Sequence, residues 1–83
     1  MSSRRSKGQI ITQILSLCQE DGASKTRIVY QVNLNFNTAS LHLDLLQKKE
    51  LLEASLGNRP IYKTTPKGEQ ALKSLKKVEA IYS

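Results

Sequence analysis

The chain has 83 residues, 39% of them hydrophobic, with no Trp, one Phe, three Tyr, a single Cys and a formal net charge of +6. That length fits one small domain with a core of Leu, Ile and Val; one Cys excludes an intramolecular disulfide and a cysteine-cluster zinc site, and no apolar run approaches the ~20 residues that span a bilayer. A sequence pI near 9.7 favours polyanionic partners, chiefly nucleic acid, although the excess is spread along the chain, so a basic face has to be assembled by folding.

Residues 1–6 read as a flexible basic arm, and they lead into a helical pattern rather than a secretion signal. The first helix is expected from Lys7 to Asp21. Ile10, Ile11, Ile14, Leu15, Leu17 and Cys18 recur there at the spacing of one buried helical face. Gly22 suits the position just past a helix end. Cys18, inside that apolar pattern, reads as a small buried hydrophobe. Its free thiol suits a reducing interior, and with the polar start and the lack of a spanning run the expected location is cytoplasmic, nucleoid-associated if the polyanionic partner is DNA.

Ser24 is the expected cap of a second helix over residues 25–32. Ile28, Val29 and Val32 form its inward face, with Tyr30 partly covered. Asn33-Leu34-Asn35-Phe36 is the link, because Asn tolerates turn backbone. Leu34 and Phe36 are expected to fill the space between helices. Asn37 is expected to cap the third helix, residues 38–49. Ala39, Leu43 and Leu46 mark its inward stripe; Asn37, Thr38, Ser40, Leu41, Asp44, Gln47 and Lys48 fall on the other side.

Residues 51–55 and 61–64 alternate as two short strands around Gly57-Asn58-Arg59-Pro60, a hairpin turn. Pro60 limits pairing only at the turn end. An ordinary residue at Glu50, before the first strand, fits there if its φ is negative. Thr65-Pro66 is a helix start, with Thr as cap and Pro at the first helical position. The last helix is expected from Pro66 to Tyr82. Ala71, Leu75, Val78 and Tyr82 trace a seam spaced by four, three and four residues.

The order helix-helix-helix-strand-strand-helix is a mainly α fold with a small β-hairpin (α+β), a winged helix-turn-helix. Residues 7–65 form the winged-helix domain. Residues 66–83 form a C-terminal helix that packs on the domain, dimerises, or does both. A helix-turn-helix places its second helix in the major groove of DNA.

Several segments carry a family likeness: Lys25-Thr26-Arg27-Ile28, Asn33-Leu34-Asn35-Phe36, the Leu43/Leu46 pair, Leu51-Leu52-Glu53, and Tyr62-Lys63-Thr64-Thr65-Pro66-Lys67-Gly68. Over Arg5–Leu75 the chain resembles the archaeal winged-helix DNA-binding regulators, including a small dimeric archaeal chromatin protein. The resemblance implies that the fourth helix pairs two chains through an antiparallel coiled coil. It also implies Gly before the wing strand, where this chain has Glu50.

The expected partner is double-stranded DNA, bound by a transcriptional regulator or chromatin-associated factor that acts as a homodimer. Arg4, Arg5 and Lys7 supply the arm. Lys25 and Arg27 oppose the dipole of the helix they open, a cost that phosphate contact justifies. Asn37, Thr38, Ser40, Leu41, Gln47 and Lys48 supply the groove-facing helix. Arg59 at the wing tip and Lys63 on the return strand reach the backbone. Leu41 suits a thymine methyl and Asp44 a cytosine amino group; without an Arg, such a face implies modest specificity. Ala71, Leu75, Val78 and Tyr82 are the expected dimer seam.

The chain shows no nucleophile–base set, paired carboxylates or phosphate-binding Gly loop, so no enzyme and no cofactor are expected. His42, the only His, reads as a part-buried, locally bonded residue and not a metal ligand. The alternative is a winged helix that binds protein and not DNA; Asp44 and the Leu-bearing third helix favour it.

Overall fold

The computed structural model describes residues 5–82, with side chains through Val78. In chain order the elements are α1 (Lys7–Leu17), β1 (Ala23–Ser24), α2 (Lys25–Val32), α3 (Phe36–Lys48), β2 (Leu52–Ala54), β3 (Ile61–Thr64) and α4 (Pro66–Tyr82). This is the winged-helix order, with one strand more than the sequence pattern announced.

The sheet runs β1-β3-β2, antiparallel throughout. β2 and β3 form the wing in the register Leu52↔Thr64, Glu53↔Lys63 and Ala54↔Tyr62. β1 is only two residues long, too short to show a period, and pairs with Tyr62 and Ile61. Gly22 makes that pairing possible. Its φ is +80°, and a Cβ there would stand 2.7 Å from the Tyr62 carbonyl oxygen.

α1 begins with a reciprocal capping box. Ser6 Oγ accepts from Gln9 N–H at 3.1 Å, and Gln9 Oε1 accepts from Ser6 N–H at 2.8 Å. The helix ends at Leu17, four residues short of the expected Asp21. The sheet takes its last carbonyls: Leu15 O accepts from the Thr64 hydroxyl at 2.7 Å, and Cys18 O from Thr64 N–H at 3.0 Å. Glu20, at φ 60°, then turns the chain toward Gly22.

α2 and α3 both close with Schellman motifs. At the end of α2, Asn33 is left-handed (φ 60°) and Leu34 N–H reaches Val29 O at 3.0 Å. At the end of α3, Leu51 N–H reaches Leu46 O at 2.8 Å and Glu50 N–H reaches Gln47 O at 2.9 Å. Glu50 therefore sits at φ 63°, so the condition of a negative φ for an ordinary residue there is not met. The motif demands a left-handed residue there, and the chain supplies Glu in the place that Gly fills most readily.

The third helix starts earlier than expected. Asn35, not Asn37, is the cap: its Oδ1 accepts from Thr38 N–H at 2.7 Å. The two Asn residues are equivalent by residue type, and the Schellman turn at Asn33 decides in favour of the nearer one.

The core is Ile14, Leu15, Cys18, Ile28, Val32, Leu43, Leu46, Leu52 and Leu72, with Ala23 and Ala39 closing it. Tyr30 does not join it, being 79% exposed rather than partly covered. Leu34 does pack against the core, but Phe36 is 52% exposed and does not fill the interhelical space. α4 is locked to the α3–β2 corner. Thr65 N–H donates to Leu51 O at 3.1 Å, the Thr65 hydroxyl donates to Glu50 O at 2.6 Å, and Thr65 Oγ1 caps Gly68 N–H at 3.0 Å. This joint fixes the angle between α3 and the wing.

Candidate nucleic-acid interface

α3 is 13 residues long, about 20 Å at 1.5 Å per residue. Ala39, Leu43 and Leu46 bury its inner face. At 100° per residue the opposite face carries Asn37, Leu41, Asp44 and Lys48, and all four are exposed, Leu41 at 71%. Thr38 and Ser40 lie at the margins and are half-buried; Gln47 and Leu45 are exposed.

Beside this row the N-terminus of α2 and the wing enclose a cleft of about 640 Å³, lined by Ser24–Thr26 and Asn58–Ile61. Arg59 is exposed at its rim. Lys25 lies in the same wall, but its ammonium is held: it donates to Ser40 Oγ and sits 5.7 Å from the centroid of the Phe36 ring. That geometry is a cation–π contact. Lys25 thus ties the start of α2 to the first turns of α3. Ser40, expected to face bases, accepts Lys25 instead.

Lys25 and Arg27 cannot serve one phosphate, because residues two apart on a helix do not share a face. Lys25 faces α3. Burial pushes the Cys18 thiol at the end of α1 up to about 11, and the charge of Arg27, which that thiol feels, works against it. Lys63 is exposed on β3 opposite the exposed Glu53.

The basic arm is built differently from the expectation. Arg5 is half-buried; its guanidinium donates to the Gln13 side chain and, at 3.2 Å, to Asn33 O. Together with the cap Ser6 it belongs to the folded body, clamping α1 to the end of α2. Arg4 lies outside the described residues. Lys7 is exposed in the first turn of α1. The half-buried imidazole of His42 is held below its ordinary pKa, first by burial and then by the charge of Lys7.

On α4 the seam divides. Ala71 packs against the core, and half-buried Leu75 lies over Gly8 of α1. Val78 is 50% exposed. The side chain of Tyr82 lies outside the described residues. Sequence reasoning passed over Leu56, which stands fully exposed at the wing tip, since nothing in periodicity singles out one Leu in a turn. Among the described residues no helix is long and apolar enough to cross a membrane.

A family model described as winged helix-turn-helix matches residues 4–83. Among solved structures the chain is similar to Sso10a-2, a DNA-binding protein from Sulfolobus solfataricus. The two are 30% identical with a TM-score of 0.87, covering 94% of this chain and 82% of that one. The chain is also similar to the protein MJ0290 of Methanocaldococcus jannaschii, 32% identical over 77 residues. Those residues are 93% of this chain but only 35% of the relative's length. MepR of Staphylococcus aureus, solved in a complex with DNA, shares the fold at 18% identity and a TM-score of 0.71, over 90% of this chain and 63% of that one.

Proposed function

Because the chain belongs to the winged helix-turn-helix family, we propose that it binds double-stranded DNA as a transcriptional regulator or chromatin-associated factor. α3 enters the major groove, which is about 12 Å wide and admits one helix, and the wing lies beside it. The observation that carries this reading is the outward row Asn37, Leu41, Asp44 and Lys48, exposed beside a cleft that holds Arg59 and Lys25. The likeness to Sso10a-2, itself a DNA-binding protein, supports it.

In this reading Arg59, Lys63, Lys48 and Lys7 contact phosphates, while Lys25 holds α3 at its working angle. Arg27, on the other side of α2, is left out of the phosphate set. Asn37 is suited to adenine, Leu41 to a thymine methyl and Asp44 to a cytosine amino group. The row carries no Arg, the usual reader of guanine, and Asp44 repels the backbone, so sequence preference is modest. Two copies join through α4 at Val78, since Ala71 packs on the chain's own core and Leu75 lies over Gly8 of α1; Val78→Asp should then yield a monomer in sedimentation.

Gel retardation at low salt tests the DNA reading. A duplex should be retarded more strongly than either of its single strands, and an unrelated duplex should compete at modest excess. A duplex left free at every protein concentration would refute it. Exposed Leu41 and Leu45, four residues apart on α3, favour one rival, a protein partner. In that case Leu41→Ala would abolish partner binding, and no duplex would be retarded.

A further inference from the structure

Turn tips favour Gly, Pro, Asn, Asp and Ser, each for a backbone reason. Ser55, Gly57, Asn58 and Pro60 follow that rule. Leu56 breaks it. It is 99% exposed, more than any other large hydrophobic side chain among the described residues. Apart from its two chain neighbours, no heavy atom lies within 4 Å of a Cβ built on the adjacent Gly57, so among the described residues nothing covers the tip. A local choice that defies turn chemistry and adds nothing to the fold belongs at a functional position.

A lone exposed Leu is ordinary on a protein surface; the setting of this one is not. It stands at the end of a hairpin, three residues from Arg59. On the same hairpin Arg59 is exposed at the rim of the cleft between wing and α2. An exposed apolar side chain on the same hairpin as an exposed guanidinium fits a partner with anionic edges and an apolar interior. Duplex DNA is such a partner, with phosphates along each groove and stacked base faces within.

We propose that Leu56 is an apolar wedge that enters the minor groove, partly unstacks one base step and kinks the duplex while Arg59 grips the groove wall. The proposal rests on the DNA-binding reading above. Leu is among the side chains used as wedges elsewhere, with kinks of about 20–90°. Pyrimidine–purine steps such as TA unstack most readily, so duplexes rich in them are the preferred ligands.

The test uses the full chain and a duplex of roughly 20–30 base pairs of alternating TA steps. Dyes at its two ends report bending, and 2-aminopurine in place of adenines reports unstacking. Saturating protein should shorten the end-to-end distance and raise 2-aminopurine fluorescence, and Leu56→Phe should do the same. Leu56→Ala should bind about tenfold more weakly, by the loss of one apolar contact. Its salt dependence should be unchanged, because no phosphate contact is lost, and at saturation it should leave the duplex straight and stacked. Arg59→Ala should behave in the opposite way, with a shallower salt slope but bending retained at saturation. An unchanged thermal midpoint for Leu56→Ala establishes that the variant is folded. If Leu56→Ala bends and unstacks the duplex as the natural chain does, the wedge is refuted and DNA binding stands. If the natural chain binds no duplex, both fall.

Discussion

Replacing Gly68 with Ala probes the joint that sets the wing against α3. An ideal Cβ on Gly68 would lie 2.2 Å from the Leu51 carbonyl oxygen and 2.7 Å from Thr64 Cγ2. Real Cβ atoms do not approach closer than 3.0 Å, and the first obstacle is backbone. α4 must therefore retreat, pulling on the bonds from Thr65 N–H to Leu51 O and from the Thr65 hydroxyl to Glu50 O. Losing two such bonds costs about 1–3 kcal/mol, and overpacking of this kind costs about 1–3 kcal/mol where it is accommodated. Against this, Ala gains up to about 1 kcal/mol over Gly inside a helix. The net is a destabilisation of about 1–5 kcal/mol, which for a domain of this size, at roughly 4–8 °C per kcal/mol, lowers Tm by at least several degrees. Thermal and urea unfolding of the two proteins measure it. Helix propensity alone would raise Tm by several degrees. A Tm equal to or above that of the natural chain would refute the claim that Gly68 is required by close approach.

Three further perturbations test other parts of the structure. Glu50→Gly should raise stability by about 1 kcal/mol by relieving the left-handed backbone; its exposed pairing with Lys67 at 3.9 Å is worth little, so a lower urea midpoint would show the strain argument to be wrong. Lys25→Ala should cost about 0.5–1 kcal/mol through the lost cation–π contact, and Ser40→Ala should add little in that background; additive losses in a double-mutant cycle would show that the two side chains are not coupled. The folded-state pKa of His42 is depressed, so the folded chain binds fewer protons there than the unfolded one. The stability this residue contributes is fully present above its unfolded pKa of about 6.5 and is lost as pH falls through the folded value. NMR titration should find that folded pKa below the unfolded one, and Lys7→Gln should raise it; an imidazole titrating at the unfolded value would contradict the burial.

Much of this fold was legible because its long-period signals are strong. The inward stripes of α1 and α3, Ser24 as a cap, the Gly-Pro turn of the wing and Thr65-Pro66 each specify one element with one meaning. What was missed depends on contacts distant in sequence. α1 stops at Leu17 because Thr64, almost fifty positions later, takes the carbonyls of Leu15 and Cys18. β1 exists because Gly22 lets the chain touch Tyr62. Glu50 is left-handed because the α3 end is a Schellman turn, and residue type alone gave no sign of it. At the site, the outward row of α3 and the place of Arg59 were readable from spacing and turn chemistry. Lys25 over Phe36 and Arg5 on Asn33 O were not, since each depends on the angle at which elements meet, and the bare Leu56 was not, since a lone Leu in a turn carries no periodicity.

Phosphate recognition by an assembled basic face can be counted in one titration. Fluorescence anisotropy of a labelled duplex, followed across salt concentrations for the natural chain and for Arg59→Ala, reads the number of phosphate contacts. The affinity should fall linearly on logarithmic axes as salt rises, with a slope reduced by about one in Arg59→Ala. No binding at low salt, or parallel lines for the two proteins, would contradict it.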